Sequence, residues 1–203
     1  MGAVAHGADR WNHNIHYHPL ILAAVPHDCD RALDVGCGEG ILARELSGSV
    51  RHVTGLDLDE PSIRLAREQD TAHRIEFLQG DFLTYRFEDS FDFIASVAAL
   101  HHMDASRALA KMGALLRPGG TLAVVGLARS RRPGDLAADA AGAVVHLVYK
   151  ATRTYWEHSA PVVWPPPETY RHMRDIAGEV LPGVRYRRHL LWRYSLVWST
   201  PTG

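Results

Sequence analysis

Short, wholly apolar runs alternate along this chain with stretches in which apolar residues recur at helical spacing. The first run, Ala32, Leu33 and Val35, breaks into glycines at alternating positions, Gly36, Gly38 and Gly40. Helical spacing then resumes over Ile41-Leu42-Ala43-Arg44-Glu45-Leu46. Further strand-like runs fall at 51–56, 74–79 and 90–97, with helices over 61–69 and about 105–116. Leu109, Met112 and Leu116 share one face of the second of these helices. A Pro-Gly-Gly turn at 118–120 leads into a fifth strand reaching Val125. Toward the C-terminus, 165–180 reads as a helix that begins in the proline run and ends at Leu181-Pro182-Gly183. Two adjoining strand-like runs, 184–191 and 192–199, form a hairpin, with Tyr194, Leu196 and Trp198 alternating against Arg193, Ser195 and Val197. At the other end a loose, histidine-rich start precedes a short helix over 19–25, and 135–150 is a mostly apolar helix.

Strand, glycine turn and helix together make the first half of a nucleotide-binding βα unit. Glycines remove the β-carbons that would keep a ligand off the backbone, and the helix start offers unpaired N–H groups. The spacing is D-x-G-x-G-x-G from Asp34 to Gly40, one residue shorter than the dinucleotide pattern G-x-G-x-x-G. The second strand ends in Asp57-Leu58-Asp59, and an acidic residue at that point takes ribose hydroxyls in such folds. Asp57 is the expected ribose ligand. Asp59 is the second choice, and either carboxylate can instead cap the helix that starts near Pro61.

Asp34-x-Gly36-x-Gly38-x-Gly40 resembles motif I of the class I S-adenosylmethionine (SAM) dependent methyltransferases. Gly80-Asp81-Phe82, the strand Phe91-Asp92-Phe93-Ile94 and Leu116-Arg117-Pro118-Gly119-Gly120 follow in that family's order, so the resemblance covers about 31–127. It implies an α/β fold: a seven-stranded Rossmann-like sheet, mostly parallel, with an antiparallel C-terminal hairpin and helices on both faces. It also implies SAM as cofactor and S-adenosyl-L-homocysteine as product. The expected cofactor residues are Asp34, Gly36, Cys37, Gly38, Gly40, Asp57, Leu58, Asp81, Phe82 and Ser96, with Asp81 on the adenine amino group and Phe82 over the ring. A single domain is expected, with an N-terminal lid and helix over 1–30, the SAM core over 31–127, a substrate lid over 128–166 and a C-terminal helix and hairpin over 167–203.

Methyl transfer to a hydroxyl, a non-basic nitrogen or an aromatic carbon also needs a proton removed. His101 is the first candidate base, because Leu100-His101-His102-Met103-Asp104 looks like the L-H-D-W element of plant-type O-methyltransferases, with the match at His101. Its Asp and Trp are missing here. His16 and Tyr17 are further candidates if the N-terminal segment folds over the site. His13, His16 and His18 fit no standard zinc spacing, so no metal is expected. No Asn/Asp-Pro-Pro-aromatic element follows the fourth strand, which disfavours methylation of a nucleic-acid base. The Tyr-x-x-x-Lys pair of short-chain dehydrogenases is absent, which counts against a nicotinamide enzyme.

Composition narrows the class without choosing a substrate. The 203 residues are 46% hydrophobic and 22% charged, and the formal net charge of −1 gives no field to recruit nucleic acid or an anionic membrane. Only two cysteines occur, Cys29 and Cys37, and no signal or spanning segment stands out, so a cytoplasmic protein is expected. Whether it is a monomer or a homodimer is open. Trp11, Tyr149, Tyr155, Trp156 and Trp164 offer flat walls for a small aromatic acceptor, or simply hold the lid on the sheet. The chain is also similar to small bacterial natural-product methyltransferases, some of which act on indoles. Competing readings are a methyltransferase for a macromolecule and a non-catalytic SAM-binding partner subunit.

Overall fold

The structure is a computed structural model that describes residues 10–131, 133–156 and 165–202. Nine strands occur among these: β1 (Arg10–Trp11), β2 (Arg31–Val35), β3 (His52–Asp57), β4 (Ile75–Gln79), β5 (Phe91–Val97), β6 (Leu116–Leu127), β7 (Thr154–Tyr155), β8 (Arg185–Arg188) and β9 (Arg193–Ser199). The helices are α1 (His18–Leu22), α2 (Ile41–Leu46), α3 (Glu60–Gln69), α4 (Ala105–Leu115), α5 (Pro133–Thr152) and α6 (Tyr170–Val180).

Seven strands form one sheet in the order β4-β3-β2-β5-β6-β9-β8. The first five in that order run parallel, and β9 lies antiparallel between β6 and β8. The expected architecture is therefore present. Alternation along the strands divides the core between the two faces. Leu122 and Val124 of β6 join one buried cluster with Leu109, Met112 and Met173 of α4 and α6. Ala123 and Val125 join the other with Leu42, Ala43 and Ile63 of α2 and α3. Strand order reverses between β2 and β5, where the loops at their carboxyl ends part.

Several boundaries differ from expectation, each for a local reason. Helix α6 starts at Tyr170, not in the proline run, because Thr169 caps it by accepting from the N–H of His172. Helix α4 stops at Leu115, and Leu116 already pairs with Phe91. The Pro-Gly-Gly turn is absorbed into β6 as an irregularity, since the next strand pair is Thr121 with Phe93. The C-terminal strands are shorter than their apolar runs, because Leu191 and Trp192 adopt positive φ to turn the hairpin. One element was not anticipated. β1 pairs in parallel with β7, tying the N-terminal segment to the end of α5.

Candidate active site

A cavity of about 390 Å³ lies over the switch point, lined by the loops that follow β2, β3, β4 and β5. The glycine turn builds its base. Gly36 and Cys37 both donate their N–H to the carbonyl of Leu56, at 2.8 and 3.1 Å, which locks the loop to β3. Gly36 sits at φ +74°, and a β-carbon there would fall 2.1 Å from that of Ala99. Gly38, at φ +51°, would meet nothing within 4 Å, so the same backbone opens onto the cavity two residues later.

Asp57 and Asp59 make different contacts at the end of β3. Asp57 accepts from the N–H of Gly38 at 2.7 Å with one oxygen and from that of Asp59 at 2.9 Å with the other. Each oxygen retains a lone pair for a hydroxyl donor. Asp59 caps α3 through the N–H and hydroxyl of Ser62. Asp34 is 2% exposed on the cavity wall, and one of its carboxylate oxygens has no partner among the described residues. Burial first, and then the nearby charge of Asp57, push its pKa up to about 8. A neutral or cation-seeking carboxyl therefore faces the ligand space.

After β4, Asp81 lines the cavity and accepts from the N–H of Leu83 at 2.8 Å. Phe82 is buried beside it, and Lys111 of α4 pins this loop by donating to the carbonyls of Phe82 and Tyr85 at 2.6 and 2.5 Å. Leu58 stands 68% exposed at the cavity, an apolar cover with no core to join. Cys37 also lines the cavity, its thiol pushed far toward the neutral form, chiefly by burial.

Two expected cofactor residues do other work. Gly40 is not on the cavity lining; a β-carbon there would meet the Phe77 ring at 2.6 Å, so it sets how closely α2 approaches the sheet. Ser96 is fully buried and donates its hydroxyl to the carbonyl of Val35, joining β5 to β2.

The histidine pair after β5 is reversed relative to expectation. Leu100–His102 form a tight 3₁₀ turn that buries Leu100 and puts His102 and Met103, not His101, on the cavity lining. One ring nitrogen of His101 is buried without a partner among the described residues. Burial, the adjacent His102 and then Arg193 lower its pKa to about 4, so at neutral pH it is uncharged and a weak base. Nothing in the L-H-H-M-D string distinguishes the two rings; the turn geometry does.

The N-terminal segment does cover the cavity, through residues other than those expected. Asn12, Asn14, Ile15 and His18 line it. Asn12 accepts from the N–H groups of Asn14 and Ile15, both at 2.9 Å, and its amide reaches the carbonyl of Trp156 at 3.5 Å. Trp156 donates its backbone N–H to Trp11 and lines the cavity. Asn14 accepts from the buried guanidinium of Arg193 at 2.6 Å. Tyr17 instead points away, donating its hydroxyl to Leu190 at 2.7 Å, and burial pushes its pKa up to about 12. His16 packs against Trp11, Tyr17 and Tyr149 outside the lining.

Of the aromatic residues proposed as substrate walls, only Trp156 reaches the cavity among those whose side chains are described. Trp11 and Tyr149 pack on each other, ring centroids 4.8 Å apart and tilted by 41°, and hold the lid together. The side chain of Tyr155, and all of Trp164, lie outside the described residues. His13 bonds to His146 of α5 at 2.9 Å and His18 to Glu45. Among the described residues no group of three or more His, Cys, Asp or Glu is arranged to hold a metal. No helix there is long and apolar enough to cross a membrane.

This fold, with a glycine turn under an acidic strand end, defines a class I SAM-dependent methyltransferase, and the chain belongs to that family. A model described as "Methyltransferase domain" matches residues 33–124. An uncharacterised methyltransferase of Mycobacterium tuberculosis is 40% identical over 196 residues, covering 94% of this chain and 98% of the relative. A ubiquinone biosynthesis O-methyltransferase of Xylella fastidiosa is 34% identical over 182 residues, covering 85% of this chain and 70% of that protein. The N-methyltransferase NodS of Bradyrhizobium japonicum, solved with S-adenosyl-L-homocysteine, has the same fold at a TM-score of 0.61 and 16% identity, with 92% of this chain and 87% of that one covered.

The residues present fit SAM. The unpartnered oxygen of Asp34 suits a cationic group, the spare lone pairs of Asp57 suit vicinal hydroxyls, and Leu58 and Phe82 suit the faces of a purine.

Proposed function

We propose that the chain methylates a small, planar aromatic acceptor of the phenol or quinol type, with an indole as the nitrogen-containing case, in a biosynthetic pathway of the cytoplasm. The carrying observation is that His102, Met103 and Trp156 stand on the lining of the same cavity as Gly36, Gly38 and Asp57. A proton acceptor, an apolar side chain and a flat ring thus share one enclosure with the cofactor residues. Its volume of about 390 Å³ is that of a small-molecule site. The Xylella relative, named for ubiquinone biosynthesis, supports the phenolic class.

In this reading residues 31–127 hold the cofactor, and the segments within 1–30 and 128–166 close over it. Asp57 takes the ribose hydroxyls, Asp81 the adenine amino group, and Asp34 the ammonium end. SAM, when bound, supplies an electrophilic methyl group. The protein has to align the acceptor, exclude water and remove one proton. Asn12, Asn14 and Trp156 do the excluding, and proximity of this kind supplies up to roughly 7–11 kcal/mol. His102 takes the proton, in place of the expected His101. Its exposed ring can pass that proton on to solvent.

The test is incubation of the full chain with SAM and, in separate reactions, catechols, quinols and indoles, with products read by mass spectrometry. A SAM-dependent product one methylene heavier is expected with a phenolic ring. Methylation of host protein or RNA, with no small-molecule product, would overturn the reading.

A further inference from the structure

A second cavity, of about 440 Å³, opens between the start of α6 and β8 and shares no lining residue with the first. Four arginines line it: Arg131, Arg171, Arg174 and Arg188. Local sequence explains their convergence. Arg171 and Arg174 are three apart and so share a face of α6. Alternation in β8 sends Arg185 and Arg187 to solvent but leaves Tyr186 and Arg188 half-buried on the other side. Of these three arginines only Arg188 becomes a wall of the cavity.

Four guanidiniums in one hollow repel one another, in a protein whose formal net charge is −1. Asp139 of α5 reaches Arg188 at 3.4 Å, and Asp175 reaches Arg171 at 3.6 Å where both side chains are exposed. Glu168 is engaged by His172. Arg174 makes no ion pair among the described residues. The site is also held in shape. The guanidinium of Arg188 lies 4.1 Å over the ring of Tyr170, and Tyr186 stacks on Tyr194 at 5.6 Å with an interplanar angle of 12°. The positive end of α6, an 11-residue helix, adds to the same field.

We propose that this cavity binds a phosphoryl group, free or as the ester of a small molecule. Arginine forks match phosphate oxygens in pairs, and the two tyrosine rings leave an apolar floor for an attached organic group. The site lies apart from the methyl-transfer cavity and does not depend on which acceptor that cavity takes.

Isothermal titration of the full chain at fixed ionic strength, with inorganic phosphate and separately with phenyl phosphate, tests this. Saturable binding is expected, weakened at least fivefold by Arg174→Gln. Arg64→Gln, on the exposed side of α3, removes the same charge elsewhere and should leave it unchanged. Melting temperature and SAM affinity, unaltered in both variants, report that each is folded. Tighter binding of phenyl phosphate identifies an ester as the ligand; equal binding identifies the free ion. No saturation by either probe, or equal weakening in the two variants, overturns the proposal.

Discussion

On one side of the methyl-transfer cavity the wall is backbone; on the other it is side chain. The base is a single stretch of loop whose N–H groups reach fixed partners, Gly36 and Cys37 to Leu56 and Gly38 to Asp57. The lid is assembled from remote pieces, with Asn12 bonded to Trp156 across 144 positions and Asn14 to Arg193 across 179. Backbone walls tolerate few substitutions because φ and close approach leave only glycine. Side-chain walls can be altered one contact at a time, so under the proposed function acceptor choice would belong to the lid and cofactor binding to the loop.

Substitutions on the two sides should therefore fail in different ways. The largest effect is expected from Gly36→Ala, which adds a left-handed strain and a collision with Ala99, about 2–4 kcal/mol of stability together. Thermal unfolding with and without SAM reads it; a variant as stable as the parent would dissolve the distinction drawn above. His102→Ala should lower turnover on the order of 100-fold while SAM affinity stays within about twofold, and His101→Ala should instead move the melting temperature. Steady-state kinetics beside SAM titration separates them, and equal kinetic losses would return His101 to the base role. Asn12→Ala removes the one oxygen that accepts from two N–H groups of the lid and should cost about tenfold in kcat/KM for the acceptor, with SAM affinity nearly unchanged.

The smallest signal is a proton. Asp34, held near pKa 8 by burial, is mostly protonated at pH 7, and a cation beside it favours the ionised form. SAM binding at pH 7 should release up to one proton, measurable by calorimetry in buffers of different ionisation enthalpy. Asp34→Asn should abolish the release. The same shift has a stability counterpart. The unfolded carboxyl ionises near 3.8 while the folded one holds its proton to about 8, so the ligand-free protein loses stability as pH rises between those values. Asp34→Asn should flatten that slope.

The loop side was legible because its determinants lie next to one another: glycines at fixed offsets, an acid at a strand end, a turn before β6. Even there, spacing does not foretell that Gly40 packs on Phe77 or that Ser96 bonds to Val35, since such contacts are properties of packing. The lid was legible only as a region. Its aromatic residues stand out in the sequence, yet Trp11 and Tyr149 hold each other while two asparagines line the cavity. No local pattern marks the bonds from Asn12 to Trp156 or from Arg193 to Asn14, which join residues more than a hundred positions apart. The choice between His101 and His102 hung on one 3₁₀ turn.

The bond from Arg193 to Asn14 carries a consequence for how the molecule is made. A ribosome delivers the cofactor loop early, and the strands that cradle it are complete by Leu127. β9 comes last, and with it the guanidinium that holds the beginning of the chain in place. A chain ended before β9 would therefore keep the β1–β7 pairing but lack the bond that fixes Asn14. Translation thus sets the order in which the contacts over the cavity are made.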